Sequence, residues 1–289
     1  MAIKTILVPL AARAGSEVVL VTALAAAQRF GAHFEAFHVR RAPEDMMPFM
    51  VGGLSAGLRN TVIKEASDDA AERAAGVRAV FDEFCVKNGI PIADKPSSTA
   101  TTSASWHEET GRANELLVRR GRLFDLAVAA RPVADPSRLR RSPAGEHLES
   151  MLLGTGRPIL LAPPGAPKSC ASNVAIGWNG SAEAAHAVAA AMPCLTTADK
   201  VSLLTSRRQE HNTKDLARQL LWHDIEALVH VFETGSSSVG ETLLTECKKI
   251  NADLLVVGGY TRTRARQLLF GGVTSHVLAD ADIPVFMAH

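Results

Sequence analysis

Glycines and arginines that could hold an anion stand close together near the end of this chain. Residues 253–257 (DLLVV), apolar and in part β-branched after Asp253, predict a short buried parallel strand. A glycine pair ends the run, an arginine-rich loop follows, and a second glycine pair opens a helical pattern. Backbone N–H groups at such turns and helix starts can bind phosphate. The candidate residues of this segment are Gly258, Gly259, Thr261, Arg262, Gly271, Gly272, Val273 and Thr274.

The spacing of these glycines resembles the C-terminal signature of the universal stress protein family, G-x2-G-x9-G-[S/T]. Gly258 takes the first position and Gly271 the third, whereas Thr261 stands at the second and Gly272 replaces the serine or threonine. Residues 283–289 (IPVFMAH) match the last strand of the family. The resemblance covers nearly the whole chain and implies a tandem, two-domain member of this family.

Two of the four signature positions depart from the family pattern. Thr261 adds a Cβ where the family has glycine, and at a positive φ this Cβ would hinder close approach of the backbone to a phosphate. Gly272 lacks a hydroxyl donor but keeps its N–H, and Thr274 could supply the hydroxyl. Arg262 could add a charge-assisted bond to a phosphate oxygen, although a solvated basic loop explains the same residue.

More candidate residues follow the first two strands of the second half. Trp178, Asn179 and Gly180 come after one strand and Thr205 ends the next. Ligands of open α/β sheets bind beyond the carboxyl ends of the strands, so these residues should meet the glycine segment. The resemblance implies that Asn179 stands where the family usually has an aspartate, close to the bound nucleoside. An amide can also bond a ribose or a base there, but without charge.

The first half lacks these features. At the position that matches Asn179, the first half has Leu10, whose side chain cannot hydrogen-bond a ribose. Residues 129–132 (AARP) replace the glycine turn, and Pro132 has no N–H for a phosphate. We expect no nucleotide binding of the family type in this half.

The elements that must position these residues occur twice. Strand, helix and strand patterns at 5–9, 17–29 and 36–39 return at 173–178, 182–192 and 200–205, and residues 124–132 echo 252–260. Strands that alternate with helices predict parallel sheets with right-handed crossovers. The expected fold is therefore α/β: two tandem, doubly wound, Rossmann-like domains, each a mainly parallel five-stranded sheet flanked by helices.

The expected boundaries follow from this repeat. Residues 1–163 form a degenerate first domain, 164–172 a linker rich in proline, and 173–289 the domain with the glycine signature. A methionine-rich insertion near 41–62 interrupts the first domain. It could serve as a lid or partner surface, or simply pack on its own domain. The resemblance implies that the last strands of both domains pair within the chain, which leaves a homodimer of chains open.

Net charge, the length of the apolar runs and the spacing of the cysteines limit which binding partners and metal sites we expect. A net charge of +1 gives no electrostatic argument for nucleic acid or anionic membranes. No apolar run approaches the roughly 20 residues that cross a bilayer. The four cysteines are widely spaced and no zinc pattern is present, so we expect reduced thiols, no metal site and a cytoplasmic location.

Three functions compete at this point. The first is a non-enzymatic stress-response or signalling protein that binds an adenine nucleotide, ATP foremost and with Mg²⁺ accompanying it, in the second half. The second is a scaffold or protein-interaction module that no longer needs nucleotide. The third, a slow ATPase, ranks last because the sequence has no Walker A motif, no G-x-S-x-G elbow and no evident catalytic base.

Overall fold

The computed structural model describes residues 2–41, 56–96, 102–132, 143–259 and 272–289. Strands and helices alternate along both halves of this part of the chain. The elements of the first half are β1 (Thr5–Pro9), α1 (Ser16–Phe30), β2 (His33–Arg40), α2 (Ala56–Lys87), β3 (Ser103–Thr110), α3 (Ala113–Gly121), β4 (Leu126–Ala129), α4 (Pro143–Gly154) and β5 (Ile159–Leu161).

The second half repeats this order, with a shorter helix, α6, in the place of the long helix α2. Its elements are β6 (Asn173–Gly177), α5 (Ala182–Leu195), β7 (Lys200–Ser206), α6 (Glu210–Leu220), β8 (Ala227–Phe232), α7 (Val239–Lys249), β9 (Leu254–Gly258), α8 (Gly272–Asp280) and β10 (Val285–Ala288). Short 3₁₀ helices, Arg207–Gln209 and Leu221–His223, flank α6.

All of these strands belong to one ten-stranded sheet with the order β3-β2-β1-β4-β5-β10-β9-β6-β7-β8. The pairing is parallel within each half and antiparallel only between β5 and β10. The order of the second half mirrors that of the first across this junction. The predicted α/β class is confirmed, and each half contributes a parallel five-stranded sheet.

The junction between the halves is a buried strand pair. Val285, Phe286 and Met287 of β10 lie opposite Leu161, Leu160 and Ile159 of β5. All six side chains are buried. Pairing removes the two apolar edges that the isolated halves would expose to other chains.

The core has two layers, one on each face of the sheet. Side chains alternate between the faces along each strand, as Ile6 and Val8 on one side and Leu7 on the other show. Helices α1, α2, α5 and α6 cover the first face, and α3, α4, α7 and α8 cover the second. Both layers run without interruption from one half into the other.

A repeated aspartate fixes the start of the first strand in each half. The Asp125 carboxylate accepts the N–H of Thr5 at 3.0 Å, and Asp253 accepts the N–H of Asn173 at 2.8 Å. The N–H of each aspartate in turn donates to the carbonyl of the same partner. This motif aligns Thr5 with Asn173 and so sets the correspondence between the halves residue by residue.

The structure describes only part of the insertion near 41–62. Residues 56–62 form the first turns of α2, a helix that the sequence analysis did not anticipate. Residues 42–55, with the methionines, lie outside the described residues. Among the helices that the structure describes, none has the length and apolar character needed to cross a membrane.

Asp253→Ala should lower the free energy of unfolding by about 1.5–3 kcal/mol, because two backbone N–H groups lose a charged acceptor. Ser172 and Asn173 are the donors. Urea unfolding followed by circular dichroism measures this difference. Asp253→Asn keeps one acceptor oxygen and should lose less. Equal stability of Asp253→Ala and the unchanged protein would show that the motif contributes nothing.

The four cysteines should be unreactive in the folded protein. All are buried, and burial raises the pKa of Cys85 to about 11 and the pKa of Cys170 and of Cys247 to about 12. Burial also raises the pKa of Cys194. Because the thiolate is the reactive form, Ellman's reagent at pH 8 should label none in the native state and four in urea. Rapid labelling of the native protein would contradict this burial.

Candidate functional site

The ends of β6 and β7 form the first part of the predicted site. The N–H of Trp178 donates to Leu204 O at 3.0 Å, and the Thr205 hydroxyl donates to Trp178 O at 3.2 Å. Thr205 is only 1% exposed. Its hydroxyl therefore holds two strands together at the edge where the parallel strands end, which we call the carboxyl edge.

Asn179 and Gly180 project beyond this edge and are exposed. Asn179 Oδ1 accepts the N–H of Ser181 at 3.0 Å, and Ser181 Oγ then caps α5 by accepting Ala184 N–H at 3.2 Å. Gly180 has a φ of +73°, a conformation that disfavours any residue with a Cβ. The side-chain oxygen of Asn179 is thus occupied, whereas its side-chain amide donates to no described residue and can donate to a ligand.

Trp178 contributes an unsatisfied donor at the same edge. Its Nε1 is buried and has no hydrogen-bond partner among the described residues. A buried indole N–H usually finds a partner, so this atom marks a place where a bound molecule could supply an acceptor.

Gly258 serves packing. A Cβ at this position would lie 2.5 Å from Ala184 N and 2.6 Å from Glu183 C. The first turn of α5 therefore rests directly on the end of β9, and only glycine permits that approach.

Gly259 belongs to the junction between the halves. Its N–H donates to Ala288 O at 2.8 Å, and its carbonyl accepts from His289 Nδ1 at 3.1 Å. A Cβ here would lie 2.7 Å from Cδ2 of Leu152 on α4. The backbone of Gly259 is accordingly committed to the sheet, in contrast to the free N–H that the glycine pattern suggested.

The start of α8 is the open part of the site. Gly272 is exposed, no atom of the described residues lies near the position of an added Cβ, and Val273 and Thr274 are half-buried. Gly240 of α7 seats this helix, because a Cβ there would lie 2.7 Å from Cβ of His276. Since α8 runs back toward the start of β10, its N-terminus and its positive dipole end face the carboxyl edge.

Three candidate residues, Thr261, Arg262 and Gly271, lie outside the described residues. The other candidates lie at the start of α8 or at the ends of β6, β7 and β9, and these three strands are neighbours in the sheet. No cluster of three or more potential metal-ligating side chains occurs in the part of the chain that the structure describes.

The carboxyl edge of the first half requires one correction. Because Thr5 matches Asn173, Leu10 corresponds to Trp178, and the match for Asn179 is Ala11 and not Leu10. The N–H of Leu10 donates to Phe37 O at 2.9 Å, as that of Trp178 does to Leu204 O. The strand pattern in the sequence placed the match one residue too early, because the apolar strands contain no residue that fixes their register. Leu10 and Ala11 are both apolar, so the expected lack of a polar group at this position stands.

His38 takes the place of Thr205 in the first half. Its Nδ1 donates to Leu10 O at 2.7 Å, and its ring stacks on Trp106 with 6.1 Å between ring centres. The histidine is 4% exposed. The same strand-to-strand tie is therefore made by an imidazole instead of a hydroxyl.

A cavity of about 450 Å³ opens beside His38, and the sequence analysis did not anticipate it. Its apolar walls come from β1, β2, α2 and α3, and we call it the first-half cavity. Arg40, Arg41, Arg73 and His147 also line it. The pKa of His147 is lowered, first by burial and then by Arg41. The available signal in the sequence was the Arg40-Arg41 pair at the end of β2.

Comparison with known proteins shows which family residues 181–289 match and which solved structures share the fold. Residues 181–289 match the model of the universal stress protein family. A universal stress protein from Archaeoglobus fulgidus DSM 4304 has a similar structure, with a TM-score of 0.69 and 14% identity over 98% of this chain and 97% of that chain. A functionally unknown protein from Pseudomonas aeruginosa PAO1 is similar with a TM-score of 0.53 and 13% identity, over 99% of this chain and 92% of that chain. No curated protein is significantly similar.

Residues 181–289 therefore carry a universal stress protein domain, and the predicted resemblance to this family is confirmed for that part of the chain. The fold of the whole chain is also that of the solved universal stress protein structure. The family model covers only the half that carries the glycine signature, and the first half shares the fold alone.

Gly258→Ala should lower the free energy of unfolding by about 1–3 kcal/mol, because the added methyl group meets the backbone of α5. Gly272→Ala is the matched control: it has open space and should be neutral or raise stability by up to about 1 kcal/mol. Urea denaturation of both variants tests the assignment. A tolerated alanine at Gly258 would refute the packing role.

Proposed function

We propose that this chain is a non-enzymatic stress-response or signalling protein that binds one adenine nucleotide, ATP foremost, at the carboxyl edge of its second half. The observation that carries the proposal is the open N-terminus of α8 at Gly272, in the half that matches the universal stress protein family. A helix N-terminus of this kind favours phosphate.

The remaining contacts would come from the loop after β6. Amide N–H groups of Asn179 and the unpartnered Nε1 of Trp178 are donors suited to a ribose, a base or a phosphate oxygen. Gly180 leaves the backbone accessible at its positive φ. Mg²⁺ would arrive with the nucleotide, whose phosphates supply most of its ligands.

A nucleotide-independent scaffold is the second candidate. It is favoured by the commitment of several polar groups to the fold itself: the Thr205 hydroxyl, the Asn179 carbonyl oxygen and the Gly259 N–H. A slow ATPase is the third. The described site residues Trp178, Asn179 and Thr205 include no carboxylate that could act as a base.

Isothermal titration with ATP, ADP and AMP in the presence of Mg²⁺ tests the proposal. We expect one site per chain and an affinity for ATP that falls about tenfold or more in Gly272→Asp, because the new carboxylate repels phosphate. This substitution also suits the helix dipole, so the fold should be retained. Ala12→Asp places the same charge on an exposed loop at the carboxyl edge of the first half and should leave ATP binding unchanged.

The outcomes separate the three functions. Failure of all three nucleotides to bind the folded protein would support the scaffold. Loss of binding in Ala12→Asp but not in Gly272→Asp would move the site to the first half. Steady release of phosphate that Gly272→Asp abolishes would establish an ATPase.

A further inference from the structure

The first-half cavity has walls of one chemical kind. Leu10, Phe37 and Leu117 are buried side chains that line it, and Ala70 of α2 and Val39 of β2 extend the same apolar surface. A volume of about 450 Å³ falls within the usual range for small-molecule sites. The cavity can therefore enclose an apolar body of that size.

The mouth of the cavity is positively charged. Arg41 follows β2 and Arg73 lies on α2, and both are exposed. Neither makes an ion pair with a described residue, whereas Arg40 is paired with Glu108 at 2.8 Å. No carboxylate side chain of the described residues lines the cavity. Two guanidinium groups are thus available to an anion.

The polar groups that the second half offers a nucleoside have no counterpart here. Leu10 and Ala11 stand in place of Trp178 and Asn179, so the indole N–H and the side-chain amide are both replaced by alkyl groups. His38 turns its Nδ1 to the Leu10 carbonyl. The same position in the fold has acquired apolar walls and a cationic entrance.

From these observations we infer that the first-half cavity binds an organic anion with an apolar body, such as a medium-chain carboxylate, with the tail between Leu10, Phe37 and Leu117 and the carboxylate at Arg41 and Arg73. The arginines bind the carboxylate by charge-assisted hydrogen bonds, and burial of the tail supplies the remaining affinity. This inference does not depend on nucleotide binding in the second half.

Isothermal titration of the full chain with decanoate below its micelle concentration tests the inference. We expect saturable binding with one site per chain. Decyltrimethylammonium, which has the same tail and the opposite charge, should not bind. Arg73→Glu should weaken decanoate binding about tenfold, because an attractive charge becomes repulsive. Lys64→Glu makes the same charge change on α2 outside the cavity lining and should leave binding unchanged.

A second variant tests the apolar walls. Ala70→Phe should fill part of the cavity and abolish decanoate binding, and its thermal midpoint shows whether the fold is kept. Gly272→Asp, in the other half, should not alter decanoate binding, so failure of the nucleotide proposal would leave this result untouched. Absence of decanoate binding, equal binding of the cationic analogue, insensitivity to Arg73→Glu or displacement of decanoate by ATP would each overturn the inference.

Discussion

The antiparallel pairing of β5 with β10 is the constraint on which the rest of the structure depends. It turns two five-stranded sheets into one and makes both core layers continuous across the chain. The contacts beside it follow the same pseudo-symmetry: Gly259 packs on Leu152 of α4, and Arg131, at the matching position, donates to Leu278 O of α8 at 3.1 Å. Gly259, directly after β9, therefore serves the junction first. Packing explains Gly258 and Gly259 in part, and the proposed phosphate site would have to be built mainly from the start of α8 and the loop after β6.

Duplication of one unit has produced two carboxyl edges with equal backbones and different chemistry. The hydrogen bond that extends the first strand pair is present in both halves, at Leu10 and at Trp178. The tie to the next strand is a histidine in one half and a threonine in the other. In the first half, apolar side chains and two arginines, Arg41 and Arg73, that pair with no described residue line a cavity, whereas the second half has amide and indole donors beside the start of α8. In the two proposals, the shared backbone would fix where a ligand lies, and the side chains would decide which ligand it is.

The fold was largely predictable because it depends on patterns that a sequence displays directly. Apolar runs of strand length, their alternation with helices and the echo of residues 124–132 in 252–260 were sufficient for the tandem α/β architecture. The site was less predictable, since the use of a polar group depends on its neighbours. Thr205 and Gly259 look available in the sequence but are engaged in the sheet, and only the register of β1 and β6 shows that Ala11 matches Asn179. The cavity could not be foreseen either, because its walls come from four elements that are distant along the chain.

Hydrogen–deuterium exchange of the full chain with and without ATP and Mg²⁺ is the most direct test of this division between the halves. We expect slower exchange in peptides that contain 178–181 and 272–276, because a nucleotide there would cover the loop after β6 and the start of α8. Peptides around Leu10 and His38 should be unaffected. Protection of the first half instead, or of neither half at saturating nucleotide, would contradict the assignment of the nucleotide site to the second.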